Sequence, residues 1–395
     1  MMSFLGSTTE ALNIDWDQER ASHLLLNDRW PQSVREGLTK WTQQVRQEWP
    51  GLIWLATSGT TGRSGYRLVG LSRQALLSSA LAVNRHLQVL QSDHWFCPLP
   101  LFHVGGLAIL ARSFQAGLAA PAIWNEAWDP QEFCLALGDS RATLASLVPT
   151  QVYDLVSKGL KAPSVLRALV VGGGALSPFL YQRARELNWP LLPSYGMTEC
   201  SSQVATALLS SLDRPAQDFA EDLPELRRLE HIQWATDVGS QVLRIKSPSL
   251  LTAVIEVDLR NPGAFAYDPK QEGWFQTEDI VSLEGENSLR FIGRVGETLK
   301  VSGELVNLHF LNSRLQEMIM ERDPSRIQSL VVVARACPRR GHNMILLAEK
   351  DVPLQWVEDL RQTYDQSVFP YERMTAVEWV DKIPRNSMGK VQWGR

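Results

Sequence analysis

Residues 52–67 read LIWLATSGTTGRSGYR. The short apolar run at 52–56 has the length and composition of a buried strand, and residues 57–62 behind it are all Thr, Ser or Gly. Glycines let a backbone approach a ligand, and free amides with Ser and Thr hydroxyls donate to oxygens, so such a loop can wrap a polyphosphate. A surface turn has the same composition, and both readings stand on these residues alone. A Walker A loop is excluded, because no Gly-Lys-Ser/Thr follows at the required spacing.

Working outward, residues 72–90 carry leucine, alanine and valine at helical spacing. Residues 143–148, TLASLV, and 166–171, LRALVV, read as short buried strands, and 178–187 as a helix after the second. Strand, loop and helix in repetition predict an α/β layered sheet. Residues 213–230, rich in Asp, Glu, Pro and Arg, read as a solvated connection. Beyond it LRIKS, AVIEVDL, WFQT and LRFIG are strand-like and separated by turn residues, a small β-rich portion. From about Arg294 the pattern resets: a helix near 307–321, strands SLVVVARA and NMILLAEK, a helix near 353–367 and a strand AVEWV. The expected division is a large N-terminal layered α/β domain, residues 1–294, and a small C-terminal α+β domain, residues 295–395, large enough to fold by itself.

The composition narrows the function. A chain of 395 residues, 44% hydrophobic, can bury a large core. A formal charge of -4, with both signs mixed along the chain, excludes the basic stripe of a nucleic-acid binder. Cys97, Cys134, Cys200 and Cys337 lie far apart, form no CxxC pair and have no clustered histidines near them, which predicts reduced thiols in a cytosolic protein. The N-terminus is acidic by Glu10 and lacks the basic start and apolar middle of a signal peptide. No apolar run approaches the ~18 residues of a membrane helix. The expectation is a soluble cytoplasmic protein, not a membrane protein.

TSGTTG at 57–62 resembles the phosphate-loop signature of the adenylate-forming enzymes, the superfamily of acyl-CoA synthetases, luciferases and peptide-synthetase adenylation domains. PLFHVGGL at 100–107, VGGGAL at 171–176, SYGMTE at 194–199, WFQTED at 274–279, the Gly293-Arg294 pair and PRNSMGK at 384–390 are each similar to a motif of that superfamily, in its order. Agreement in order across most of the chain is far more specific than any one loop. It implies the fold of those enzymes, with a mobile C-terminal domain.

The resemblance also implies roles. Thr57, Ser58, Gly59, Thr60, Thr61 and Gly62 would cradle the phosphates of ATP. Thr198 would contact the α-phosphate and Glu199 would hold Mg²⁺, for which hard oxygen ligands suit. Tyr195 and Gly196 precede them, Gly172, Gly173 and Gly174 would lie against adenine, Asp279 would accept the ribose hydroxyls, and Arg294 would reach the ribose or phosphates. His103 would sit where the acyl carboxylate meets the α-phosphate. Lys390 would swing in from the C-terminal domain to stabilise charge as the mixed anhydride forms, and CoA would then take the acyl group after that domain rotates to present residues 301–304. The chain departs from the pattern twice: Ser64-Gly65 stand where the superfamily usually has Pro-Lys, and Gly296 stands where many members have Asp. Arg67, two residues past the vacant position, is expected to supply charge to the β- and γ-phosphates.

GMTECSSQVAT at 196–206 and ASLVPTQVYDL at 145–155 are most similar to the o-succinylbenzoate-CoA ligases of menaquinone and phylloquinone synthesis. Those enzymes have a longer segment before the phosphate loop than the 56 residues that precede Thr57, so much of the usual N-terminal subdomain is expected to be missing. An aromatic dianionic keto-acid needs polar groups for its second carboxylate, and Thr150, Ser201, Ser202 and Gln203 are candidates by position. These residues equally suit capping or lining of the loop. The implied partners are a small carboxylic acid, ATP with Mg²⁺, and CoA, with no nucleic acid and with a homo-oligomer left open. Two rivals remain: the same chemistry on a benzoate-like, cinnamate-like or fatty acid, and a nucleotide-binding member without catalysis.

Overall fold

Five parallel strands fix the frame of this chain. The computed structural model describes residues 7–18, 20–57, 65–220, 222–237, 239–258, 264–295, 298–301, 304–385 and 391. Ser58, Gly59, Thr60, Thr61 and Gly62 of the phosphate loop, Gly296, Ser302, Gly303 and Lys390 lie outside the described residues.

Ala122–Ile123, Trp95–Cys97, Leu144–Leu147, Ala168–Val171 and Leu191–Met197 lie side by side in that order, each parallel to its neighbours. Parallel neighbours cannot be joined by a tight turn, and helices Val104–Gln115, Pro130–Asp139, Pro149–Ser157 and Pro178–Glu186 supply the crossovers. Two of these helices start where the sequence provides a cap: Asp129 accepts from the amides of Gln131 and Glu132, and Ser177 from that of Leu180, each followed by a proline in the first turn. The strands read as unbroken apolar runs because both of their faces are covered. Alternate residues feed different cores: Leu144, Ala168, Val170 and Leu192 join one cluster, Ala145, Leu169, Val171 and Leu191 the other.

Past Leu191–Met197 the sheet, eleven strands in all, turns antiparallel through Ser202–Ala207, Leu226–Arg228, Ser288–Arg294, Phe275–Glu284, Val242–Lys246 and Gln233–Thr236. Two readings of the sequence are corrected here. The solvated connection expected at 213–230 contains Leu226–Arg228, which pairs with strands on both sides and joins the halves of the sheet. Its anchors are buried Phe219 before it and buried Leu229 and Ile232 after it, too sparse to show as a period. The helix expected over 72–90 stops at His86, with Gln88 at φ 48° turning the chain out.

The β-rich stretch forms no sheet of its own. Ala253–Asp258 and Ala264–Tyr267 complete a five-stranded sheet with His23–Leu25, Ile53–Thr57 and Gly65–Leu71, while its other strands extend the large sheet. The architecture is thus mixed α/β, with a large sheet-rich N-terminal part and a small C-terminal part. In the latter, helices Leu308–Arg322 and Leu354–Ser367 cover a three-stranded sheet, Leu330–Cys337, Gly341–Glu349 and Met374–Val380, around Leu311, Leu315, Val332, Leu346 and Leu360. Met320 and Ile327 from this part pack on the second core of the large sheet. Among the described residues, no helix is long and apolar enough to cross a membrane.

Candidate active site

Parallel strands point one way, so their carboxyl ends share an edge, and open α/β sheets hold ligands there, where the strand order reverses. The reversal lies between Trp95–Cys97, whose crossover leads out to Ala122–Ile123, and Leu144–Leu147, from which the chain steps the other way. The motif residues fall along this edge. His103 follows Trp95–Cys97 as the extended N-cap of Val104–Gln115, its ring 4.6 Å from that of Phe102. Thr150 lies in the first turn after Leu144–Leu147. Gly172, Gly173 and Gly174 follow Ala168–Val171, and Tyr195, Gly196, Thr198 and Glu199 end or follow Leu191–Met197.

The hairpin that turns the sheet antiparallel is the tightest piece. Its register shifts between Tyr195 and Gly196, and a Cβ on Gly196 would stand 1.9 Å from the carbonyl oxygen of Ser202. Thr198–Cys200 form one 3-10 turn, closed by Ser201 at φ 55° and Ser202 at φ 112°. Only glycine fits at 196, because backbone and not a flexible side chain is in the way. Gly196→Ala should destabilise the protein by about 1–3 kcal/mol and raise the KM for ATP, since Tyr195 and Thr198 flank it. Urea denaturation and steady-state kinetics would read the two effects.

Asp279 and Arg294 are register partners on adjacent strands. Asp279 is 3% exposed; its Oδ1 accepts from Arg294 Nε at 2.7 Å and its Oδ2 from the Tyr195 hydroxyl at 2.6 Å. Burial, and then the Asp279 carboxylate, push the Tyr195 phenol well above its usual range, so it stays protonated and donates. The hydroxyl of Thr277 receives the Asp279 amide at 3.0 Å. Three motifs far apart in sequence thus meet around one carboxylate.

Glu199 is reached from the other sheet. Arg67, on Gly65–Leu71, donates through Nη1 to Glu199 Oε1 at 2.9 Å. Magnesium prefers hard oxygens, commonly one or two carboxylates completed by phosphate and water. No cluster of three or more His, Cys, Asp or Glu able to hold a metal occurs among the described residues. The donor set fits an ion that arrives with a nucleotide: a Glu199 carboxylate beside the Thr198 hydroxyl.

The acid-binding candidates divide. The Ser201 hydroxyl is buried and donates to the Ser249 carbonyl at 2.8 Å, and buried Gln203 accepts from Thr206 at 2.8 Å; the first ties the hairpin to residue 249 and the second lies within it, which supports the loop-lining alternative for both. Ser202 instead accepts from Arg112 Nη2 at 3.1 Å. Arg112 was not among the expected site residues. It is 2% exposed, its guanidinium 5.2 Å from the Trp95 ring centre, and Nε and Nη1 have no partner among the described residues. Burial pulls its pKa down to about 10, so it remains charged at neutral pH. The neighbouring Cys97 thiol, pushed by burial up to about 12, is neutral and offers no counter-charge. A buried cation without an anion is costly, and this one has donors to spare. The available signal was a lone charge in the apolar helix VGGLAILARSFQ.

Comparison with known proteins agrees with this fold. The model of the family described as AMP-binding enzyme matches residues 9–226. A 2-succinylbenzoate–CoA ligase of Bacillus licheniformis is 25% identical over 343 residues, 85% of this chain and 67% of that protein. One from Listeria monocytogenes is 23% identical over 98% of this chain and 80% of its own length. The chain therefore spans about two thirds of the length of most of the relatives it matches. The fold superposes on an o-succinylbenzoate CoA synthetase of Bacillus subtilis, in complex with its acyl-adenylate intermediate, with a TM-score of 0.68 at 22% identity, covering 86% of this chain and 67% of that one. An amide bond synthetase from Marinactinospora thermotolerans superposes with a TM-score of 0.66 at 21% identity over 86% of this chain and 67% of its own. With more than half of its length matched by the family model, the chain belongs to the family of AMP-binding enzymes.

Proposed function

We propose that the chain is an AMP-forming acid–thiol ligase that activates 2-succinylbenzoate with MgATP and transfers the acyl group to CoA, in the cytoplasm, as a step of menaquinone or phylloquinone synthesis. The observation that carries the choice of acid is Arg112: a buried cation with no anionic partner among the described residues, on the helix that His103 caps, suits a substrate with a second carboxylate, and curated relatives are ligases of such an acid. The chemistry is two displacements. A carboxylate oxygen of the acid attacks the α-phosphorus and pyrophosphate leaves; the CoA thiolate then attacks the acyl carbon and AMP leaves.

The chain's residues have the following parts. Residues 57–62 and Arg67 hold the triphosphate; Gly172, Gly173 and Gly174 face the base; Asp279, held between Tyr195 and Arg294, takes the ribose hydroxyls. Magnesium bound by Glu199 would offset phosphate charge and orient the leaving group. His103 and Thr198 position the acid carboxylate and the α-phosphate, and Arg112 with Ser202 holds the other end of the acid. Residues 295–395 act as a mobile domain against residues 1–294, bringing Lys390 in for the first step and residues 301–304 for the second.

Purified protein incubated with ATP, CoA and a panel of aryl, keto-aryl and fatty acids should release AMP fastest with 2-succinylbenzoate. Background turnover with that acid, beside good turnover with another, would overturn the choice of acid; no turnover with any would favour a binding role.

A further inference from the structure

We infer, resting on the MgATP-dependent reading above, that Arg67 exchanges one anion for another during the reaction cycle: it holds Glu199 until MgATP arrives, then moves to the β- and γ-phosphates and leaves the carboxylate to the metal. Its placement supports this. Arg67 lies on the first strand after the phosphate loop, and its register partner on one side is Thr57, the last strand residue before that loop. A polyphosphate bound where Thr57 ends its strand would lie beside it.

The bond it now makes conflicts with the role expected of its partner. Arg67 Nη1 occupies Glu199 Oε1, one of the two oxygens a divalent cation could use, and its charge repels a cation arriving at that carboxylate. One of the two must yield. Glu199 is held by its backbone: its carbonyl accepts the Leu251 amide at 2.8 Å, and two residues on the Ser201 hydroxyl is fastened to Ser249. Arg67 has the long flexible side chain, and its fork is only partly used, for Nε is buried without a partner among the described residues. Glu256, its register partner on the other side, receives the Tyr267 hydroxyl on Oε1 at 2.9 Å. A guanidinium presents five donors in a plane and pairs readily with phosphate. It would take over the charge that a lysine at position 65 would otherwise bring.

The test uses the whole chain and reads binding, not turnover. In Arg67→Met the Kd for ATP should rise about tenfold or more, as loss of a charge-assisted bond implies, while the Kd for AMP, which lacks the β- and γ-phosphates, stays unchanged. A double-mutant cycle of Arg67→Met with Glu199→Gln, read by urea denaturation, should show coupling without nucleotide and none at saturating MgATP. Coupling that persists with MgATP means Arg67 never leaves Glu199 and overturns the exchange; equal weakening of ATP and AMP, or no weakening of either, overturns it too. Failure of the unaltered protein to bind either nucleotide would instead sink the parent reading, whatever the variants do.

Discussion

Replacing Lys390 by alanine is expected to slow acyl-adenylate formation from free 2-succinylbenzoate by on the order of 10²–10³-fold, the loss typical of one preorganised charge-stabilising group. Thioester formation from supplied acyl-adenylate and CoA should stay near the unaltered rate. The asymmetry follows from when charge develops. As a carboxylate oxygen closes on the α-phosphorus, negative charge builds on the phosphoryl oxygens, and a cation placed there only in that state lowers the barrier without tightening ground-state binding. The second displacement occurs at carbon and needs a different surface against the same site. Continuous backbone pairing with the large sheet ends at Val295, whose amide donates to the Glu278 carbonyl at 2.7 Å just beyond the Arg294–Asp279 pair. In the proposed cycle, rotation of the C-terminal part would be absorbed beyond Val295, where the sequence has Gly296, a residue type that tolerates wide changes of φ and ψ. Separate assays of pyrophosphate exchange and of CoA transfer would check this, and equal loss in both would remove the assigned role.

How much of this was legible in advance depended on whether the signal was local. The runs TLASLV and LRALVV announce parallel strands because both faces are buried, and the loops behind them carry the site because a parallel sheet gathers its carboxyl ends. The C-terminal elements were legible for the same reason, each with its own apolar period. Leu226–Arg228 was not: three residues with two arginines acquire their place only from the strands on either side. The pairing of Arg67 with Glu199 was also hidden, since it links residues 132 positions apart, one on a strand of the smaller sheet and one in the 3-10 turn past Leu191–Met197. The role expected for Arg67 came from the missing lysine; its present partner required the fold. Ser201 and Gln203 are candidates by position along the chain alone, and the geometry that turns their polar atoms onto Ser249 and Thr206 has no local signature.

Arg112 offers the prediction with opposite signs. Arg112→Met should weaken 2-succinylbenzoate by roughly thirtyfold to several thousandfold in KM, the equivalent of about 2–5 kcal/mol for one partner of a buried hydrogen-bonded charge pair. Stability should hold or rise, because an apolar side chain of similar length removes a buried charge whose partners among the described residues are the Ser202 hydroxyl and the Trp95 face. The reach is adequate: nine residues of helix, about 13.5 Å, separate Arg112 from His103, and helical side chains lean toward the N-terminus, which here is the end that His103 caps. A substrate laid along that helix can present one carboxylate to the reacting end and the other to the guanidinium. The mono-acid 4-oxo-4-phenylbutanoate keeps the reacting arm and lacks the ring carboxylate, so in the unaltered enzyme it leaves Arg112 unpaired, and in Arg112→Met its KM should stay level or improve. Arg112→Lys should recover only part of the dianionic preference, because an ammonium cannot present the planar fork. If Arg112→Met weakened both acids alike together with the melting temperature, the arginine would be a structural residue of the helix, and the case for a dianionic substrate would lose its physical support in this chain.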